Sequence, residues 1–208
     1  MLIIFDFDHT LFDTPRLKAA IQEIFGKHGV DEEMFLRTHD ESRGEGRDWK
    51  PERQFEILKN LGIQTVTSIC EEFEKVMRES CMFLYEDTMS FLEKAKQDHA
   101  LVLITYGESQ FQEKKLQGCP KMIKYFDKIV ITQNLYKDKE VGDLSLGKTA
   151  IFVEDNPVAL YAAKKYAPNI ITVRINRGIG RYADEVSQEG IDYEVKDLQG
   201  VEILLGNL

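Results

Sequence analysis

The sequence predicts an α/β fold, a parallel sheet flanked by helices and interrupted once by a helical insertion. Three observations carry that prediction. Five short apolar runs, at 2–5, 101–104, 129–131, 150–153 and 170–175, are rich in β-branched residues and nearly continuous. Strands buried on both faces read this way. Helical patterns lie between most of the runs, which implies parallel strands joined by crossovers. The gap between the first and second runs is about 95 residues, far more than a crossover needs, and most of it reads as helix.

The first run, Leu2-Ile3-Ile4-Phe5, is the opening strand. Thr14 and Pro15 then form an N-cap and first-turn pair, followed by Leu17, Ile21, Ile24 and Phe25 at helical spacing. Asp31-Glu32-Glu33 opens a second helix with Met34 and Phe35. Pro51 opens a third, with Phe55 and Leu58, which ends near Gly62. Residues 65–79 form a fourth, with Ile69, Phe73, Val76 and Met77. Residues 38–50 read as a polar, glycine-containing loop that holds the only tryptophan, Trp49. Downstream helices cover 88–98 (Phe91, Leu92, Ala95), 109–117 (Phe111, Leu116) and 157–167, which starts at Pro157 and carries Leu160 and Ala163. Residues 133–149, with Gly142 and Gly147, offer little amphipathic helix.

A chain of 208 residues makes one domain with an insertion, or two small domains, and is long enough for a sizeable core. Acids outnumber bases 36 to 27, for a net charge of −9. This argues against a general nucleic-acid partner, which needs a basic footprint. Cys70, Cys81 and Cys119 are widely spaced without a CxxC, as free thiols in a reducing cytosol are. No apolar run approaches a membrane span, and the N-terminus lacks a basic signal-peptide region. The expected location is cytoplasmic, with no membrane partner.

The chemistry gathers at the strand ends. The first strand runs into Asp6-Phe7-Asp8-His9-Thr10. Carboxylates at i and i+2 on extended chain share a face, and the carboxyl end of a parallel strand faces the ligand crevice of an open α/β sheet. Two like charges about 4 Å apart repel by roughly 4 kcal/mol at an effective dielectric of about 20. The pair therefore calls for a cation, a proton or a catalytic reason, and an all-oxygen site suits Mg²⁺ with substrate phosphate. The second run ends Thr105-Tyr106-Gly107, a hydroxyl and a glycine turn able to hold an oxyanion. The fourth ends Glu154-Asp155-Asn156-Pro157, a second acidic pair before a helix. Lys137, Lys139 and Lys148 lie between the third and fourth strands, and one of them can offset the carboxylates.

These residues, in this order at strand ends, resemble the haloacid dehalogenase-like superfamily of phosphohydrolases. The resemblance spans about the whole chain. It implies a Rossmann-like doubly wound parallel sheet of order 5-4-1-2-3, formed by residues 1–14 and 83–208, with a C1-type helical cap over 15–82. It further implies Asp6 as nucleophile, Asp8 as general acid and then base, and Thr105 as a phosphate-oxygen ligand. Lys137, preferred slightly over Lys139, would balance charge. Mg²⁺ would be bound by Asp6, Asp155 and the main-chain carbonyl of Asp8, with Glu154 near or behind it. His9 stands where glycine is commoner, and no further Asp follows Asp155 at the usual short spacing.

The implied activity is Mg²⁺-dependent hydrolysis of a small phosphorylated metabolite through an aspartyl-phosphate. Asp8 favours phosphoryl transfer, since the dehalogenase branch lacks that second Asp. A phosphomutase or phosphotransferase differs only in the acceptor. A receiver-like phosphoacceptor domain also uses acids, Thr and Lys at strand ends, but the Asp-x-Asp after the first strand, the late acidic pair and the cap-sized insertion argue against it. Tyr106, Gly107, Lys139, Arg43 and Arg47 are candidates for substrate contact, with Trp49 and Lys50 in the same loop as the two arginines. Arg174, Arg177 and Arg181, with Gly178 and Gly180, form a basic cluster near the C-terminus.

Overall fold

The computed structural model of the protein describes residues 1–44, 48–187 and 189–208. Six parallel strands form one sheet: β1 (Leu2–Phe5), β2 (Ala100–Tyr106), β3 (Lys128–Thr132), β4 (Ala150–Glu154), β5 (Ile171–Ile175) and β6 (Tyr193–Val195). Their order is β3-β2-β1-β4-β5-β6. Read from the β5 side, this is the expected 5-4-1-2-3 of a Rossmann-like sheet, with one strand added beyond β5. The sequence gives no apolar run for β6. It has three residues, two of them exposed at the sheet edge.

β1 is central and fully buried, with β2 and β4 as its neighbours. Phe5 lies opposite Leu103 and Val153. That register brings the residues after β1 level with the end of β4, and Asp6 N donates to Val153 O at 2.9 Å. Alternation along the strand divides the core. Leu2 and Ile4 join Val102, Ile104 and Phe152 on one face. That face is covered by α8 (Asp138–Ser145) and α9 (Pro157–Tyr166), through Val141, Leu160 and Ala163. Phe5 points the other way and meets Phe91 of α5 (Thr88–Asp98) edge-on at 5.7 Å.

α8 forms where the sequence offers little amphipathic pattern. The reason is close packing on α9. A Cβ at Gly142 would lie 2.3 Å from the Tyr166 ring, so glycine admits the approach, and buried Val141 supplies the apolar contact. Asn156 caps α9, its side chain accepting from Val158 N at 3.0 Å and Ala159 N at 3.4 Å, with Pro157 in the first turn. α7 (Pro120–Ile123) is a single turn before β3, and α10 (Leu198–Leu205), capped by Asp197, follows β6.

The chain divides into two compact units. One is Met1–Pro15, Phe83–Tyr106 and Lys121–Leu208, and the other is Arg16–Met82 with Gly107–Pro120. The second holds α2 (Glu32–Glu41), α3 (Pro51–Asn60), α4 (Val66–Arg78), α6 (Ser109–Gln117) and all but the first two residues of α1 (Thr14–Lys27). The sequence reading places 107–120 with the sheet. The structure groups it with the helices, because Phe111 meets Trp49 edge-on at 5.0 Å and stacks on Phe73 at 6.3 Å. Lys114 also bonds Glu52 at 2.9 Å and Glu74 at 2.6 Å.

Residues 38–41, read from sequence as loop, continue α2. Trp49 belongs to the aromatic core of this unit. Its Nε1 donates to Gln54 Oε1 at 2.7 Å and its ring stacks on His39 at 5.3 Å. Gln54 is fully buried, and its amide donates to Phe35 O at 3.1 Å and Thr38 Oγ1 at 2.9 Å. The buried amide is thereby satisfied.

The three cysteines are free thiols, and burial pushes Cys119 up to about 11. Among the described residues no helix is long and apolar enough to cross a membrane. Because Phe152 is fully buried at the sheet centre, Phe152→Ala should destabilise the protein by about 3–5 kcal/mol. Urea unfolding measures this, and a loss below about 1 kcal/mol would contradict the packing.

Candidate active site

Asp6 follows β1 directly and is buried. Lys137 reaches it from the residue preceding α8, with a left-handed backbone at φ 55°. A lysine in that conformation is uncommon, and here it is accompanied by two ionic contacts. The buried Lys137 Nζ donates to Asp6 Oδ1 and, at 2.6 Å, to Glu154 Oε2. The other oxygen of Glu154 accepts from the amides of Asp155 and Asn156, both at 3.1 Å. Glu154 therefore fixes the lysine and the start of α9 together. Lys139 is exposed, so of the two lysines the structure brings only Lys137 to the acids.

Asp6, Glu154 and Asp155 each place one carboxylate oxygen within 4.8 Å of the others. Burial pushes Asp6 up to about 7, reinforced by the charge of Glu154 and opposed by Lys137. Burial likewise holds Asp155 well above the usual carboxylate range, reinforced by Glu154 and then Asp6. Burial alone would lower the Lys137 ammonium, but Asp6 and Glu154 outweigh it and hold it above its ordinary value. Four acids, Asp6, Asp8, Glu154 and Asp155, thus share a cleft of about 170 Å³ with Lys137. The donor set is all oxygen, which suits a hard divalent cation such as Mg²⁺. Both oxygens of Glu154 are engaged, which leaves Asp6 and Asp155 as the carboxylates best able to hold one.

Asp8 lines the same cleft, and its carboxylate accepts from the Thr14 hydroxyl at the start of α1. The loop between them folds back on itself. Leu11 N and Phe12 N both donate to Phe7 O at 3.0 Å, and His9 N to Phe12 O at 2.8 Å. His9 takes φ 63° in this turn, the left-handed conformation that glycine adopts more readily. Thr105, near the end of β2, is fully buried, and its Oγ1 has no hydrogen-bond partner among the described residues. A buried hydroxyl without a partner costs about 1–3 kcal/mol, and Thr105 lies behind its neighbour Tyr106, outside the residues that line the cleft.

Tyr106 also lines the cleft. Gly107 falls in the helical unit with φ 146°, where a Cβ would stand 2.7 Å from the Gln112 amide nitrogen. Arg43 belongs to the helical unit and pairs with Asp40 at 3.4 Å. Arg47 lies outside the described residues. Thr14 as a partner of Asp8 and Tyr182 as a wall of the cleft have no signal in the sequence. Thr14 reads as a helix cap, and nothing in its spacing points back to Asp8.

A parallel α/β sheet with paired acids and a lysine at its carboxyl edge defines a hydrolase of the haloacid dehalogenase type. Residues 3–174 match the model of the haloacid dehalogenase-like hydrolase family, and the chain belongs to that family. No curated protein matches the sequence. Solved structures agree on the fold. A haloacid dehalogenase-like hydrolase of Burkholderia xenovorans is 15% identical with TM-score 0.74, covering 99% of this chain and 96% of its own. The HAD-hydrolase YfnB of Bacillus subtilis, bound to magnesium, is 16% identical with TM-score 0.65, covering 98% and 97%. A Thermotoga maritima protein described as a β-phosphoglucomutase is 21% identical with TM-score 0.62, covering 100% and 99%.

The raised Asp6 has a consequence for stability. The folded chain keeps a proton there that the unfolded chain releases near 3.8. This contribution is present below about pH 4 and is lost as pH rises through about 7. In buffer stripped of divalent ions, the wild type should therefore be less stable at pH 8 than at pH 5, and Asp6→Asn should lose less over that interval. Urea midpoints at the two pH values decide it, and equal pH dependence would take Asp6 out of the titrating cluster.

Proposed function

We propose that the protein is a Mg²⁺-dependent phosphohydrolase acting on a small phosphorylated metabolite through an aspartyl-phosphate at Asp6. The observation that carries this reading is Asp8. It puts a second carboxyl group in the cleft of Asp6, oriented by Thr14, where a leaving oxygen needs a proton.

An Asp6 oxygen attacks phosphorus, and the ester oxygen leaves with a proton from Asp8. Water then attacks the phosphoryl-aspartate while Asp8 takes its proton, releasing phosphate and restoring Asp6. Splitting the displacement in two lowers each barrier. Lys137 offsets the charge gathering at Asp6, and the buried Thr105 hydroxyl donates to a phosphoryl oxygen. Asp6 and Asp155 would hold Mg²⁺, which would supply the positive charge that lets an anionic nucleophile approach an anionic substrate. The magnesium reported for the Bacillus subtilis protein supports that choice of ion.

We read the helical unit, inserted chiefly between β1 and β2, as a C1-type cap, and the enzyme as cytoplasmic. A phosphomutase or phosphotransferase on the same residues would hand the phosphoryl group to a hydroxyl instead of water. The family assignment and the helical insertion argue against a receiver-like phosphoacceptor.

Phosphate release from an aryl phosphate and a panel of phosphometabolites, with and without Mg²⁺, tests the reading. Asp6→Asn should lower kcat by about 10³-fold or more, and Asp8→Asn by about 10²–10⁴-fold. Full activity in Asp6→Asn would remove the nucleophile. Asp155→Ala should raise the Mg²⁺ concentration needed for half-maximal rate, and an unchanged requirement would move the metal elsewhere.

A further inference from the structure

Resting on the phosphatase reading above, we propose that Arg181 selects substrates whose leaving group carries a carboxylate, that is, phosphorylated hydroxy acids. The contrast with its two neighbours in the basic cluster is the starting point. Arg174, on β5, is 1% exposed, and its guanidinium donates to Tyr182 O at 2.7 Å and Ser187 Oγ at 2.9 Å. Arg177 donates to Thr10 O at 3.1 and 2.9 Å, pairs with both oxygens of Asp87 and lies 3.8 Å over the Tyr85 ring. Both arginines are committed to holding the fold.

Arg181 is exposed and lines the cleft that holds Asp6, Asp8 and Asp155. Among the described residues it forms no ion pair, and its neighbour is the Tyr182 ring, 5.3 Å away. Its position is nevertheless fixed from both sides. Gly180, at φ 103°, comes so close to His9 that a Cβ would stand 2.5 Å from Nδ1. On the other side, Arg174 holds the Tyr182 carbonyl and the Asn176 amide donates to Ala183 O at 3.1 Å. With the backbone anchored on both sides, only the Arg181 side chain itself has to be ordered when a ligand binds.

Charge specifies the ligand. Four acids face one lysine in this cleft, so a second anion on the substrate is repelled unless a cation meets it. Arginine's planar fork matches a carboxylate through two parallel hydrogen bonds. One guanidinium neutralises one carboxylate, whereas a second, dianionic phosphoryl group would leave a charge uncompensated.

The probe pair is 3-phosphoglycerate and glycerol 3-phosphate, which differ by a carboxylate against a hydroxymethyl group. With Mg²⁺, the wild type should favour 3-phosphoglycerate in kcat/KM by about tenfold or more. Arg181→Gln should collapse that ratio towards one, and Arg181→Lys should restore part of it. A wild-type ratio near one, or a ratio that Arg181→Gln leaves unchanged in a protein with native circular dichroism, overturns the assignment. Calorimetric binding of both probes to Asp6→Asn separates this from the catalytic reading. If no phosphate ester turns over, the phosphatase reading fails and the binding ratio alone decides. A preference for 3-phosphoglycerate that Arg181→Gln abolishes supports the carboxylate subsite, and equal or absent binding overturns it.

Discussion

The site is organised by one buried ammonium. Lys137 Nζ sits between Asp6, at the end of β1, and Glu154, at the end of β4. Removing three charges from water is costly, and mutual attraction offsets that cost only with close geometry and satisfied remaining oxygens. Glu154 meets the second condition through the amides of Asp155 and Asn156. The two strand ends, the start of α8 and the start of α9 are therefore held by a single charged group. The unusual backbone at Lys137 follows from that demand, since local strain persists where the surroundings over-determine it.

The acids around it remain poised against its pull. Burial holds Asp6 and Asp155 above the normal range, and the charge of Glu154 beside them adds to the rise, because one lysine does not offset four carboxyl groups. Perturbed carboxyl groups gathered at the carboxyl edge of a parallel sheet are a physical mark of a working site. The fold supplies the edge through register alone, with Phe5 level with Leu103 and Val153.

Much of this is legible in the sequence because buried parallel strands and acids at their ends leave strong local signals. The five apolar runs correspond to β1–β5, and Asp6, Asp8, Thr105, Glu154 and Asp155 sit at the ends of three of them. The rest is set by tertiary contact. β6 is too short and too exposed to show a pattern. α8 depends on Gly142 meeting Tyr166, a contact between residues far apart in sequence. The affiliation of α6 with the helices rests on Phe111 meeting Trp49 and Phe73. The choice of Lys137 over Lys139 rests on a left-handed backbone that composition cannot announce.

The placement of Trp49 has an experimental use. It is the only tryptophan in the chain, half-buried in the helical unit, bonded to Gln54 and stacked on His39. Excited selectively, its fluorescence reports on the helices while the sheet, which has no tryptophan, stays dark. The protein thus carries a native optical probe that follows the melting of one unit separately from the secondary-structure signal of the whole chain.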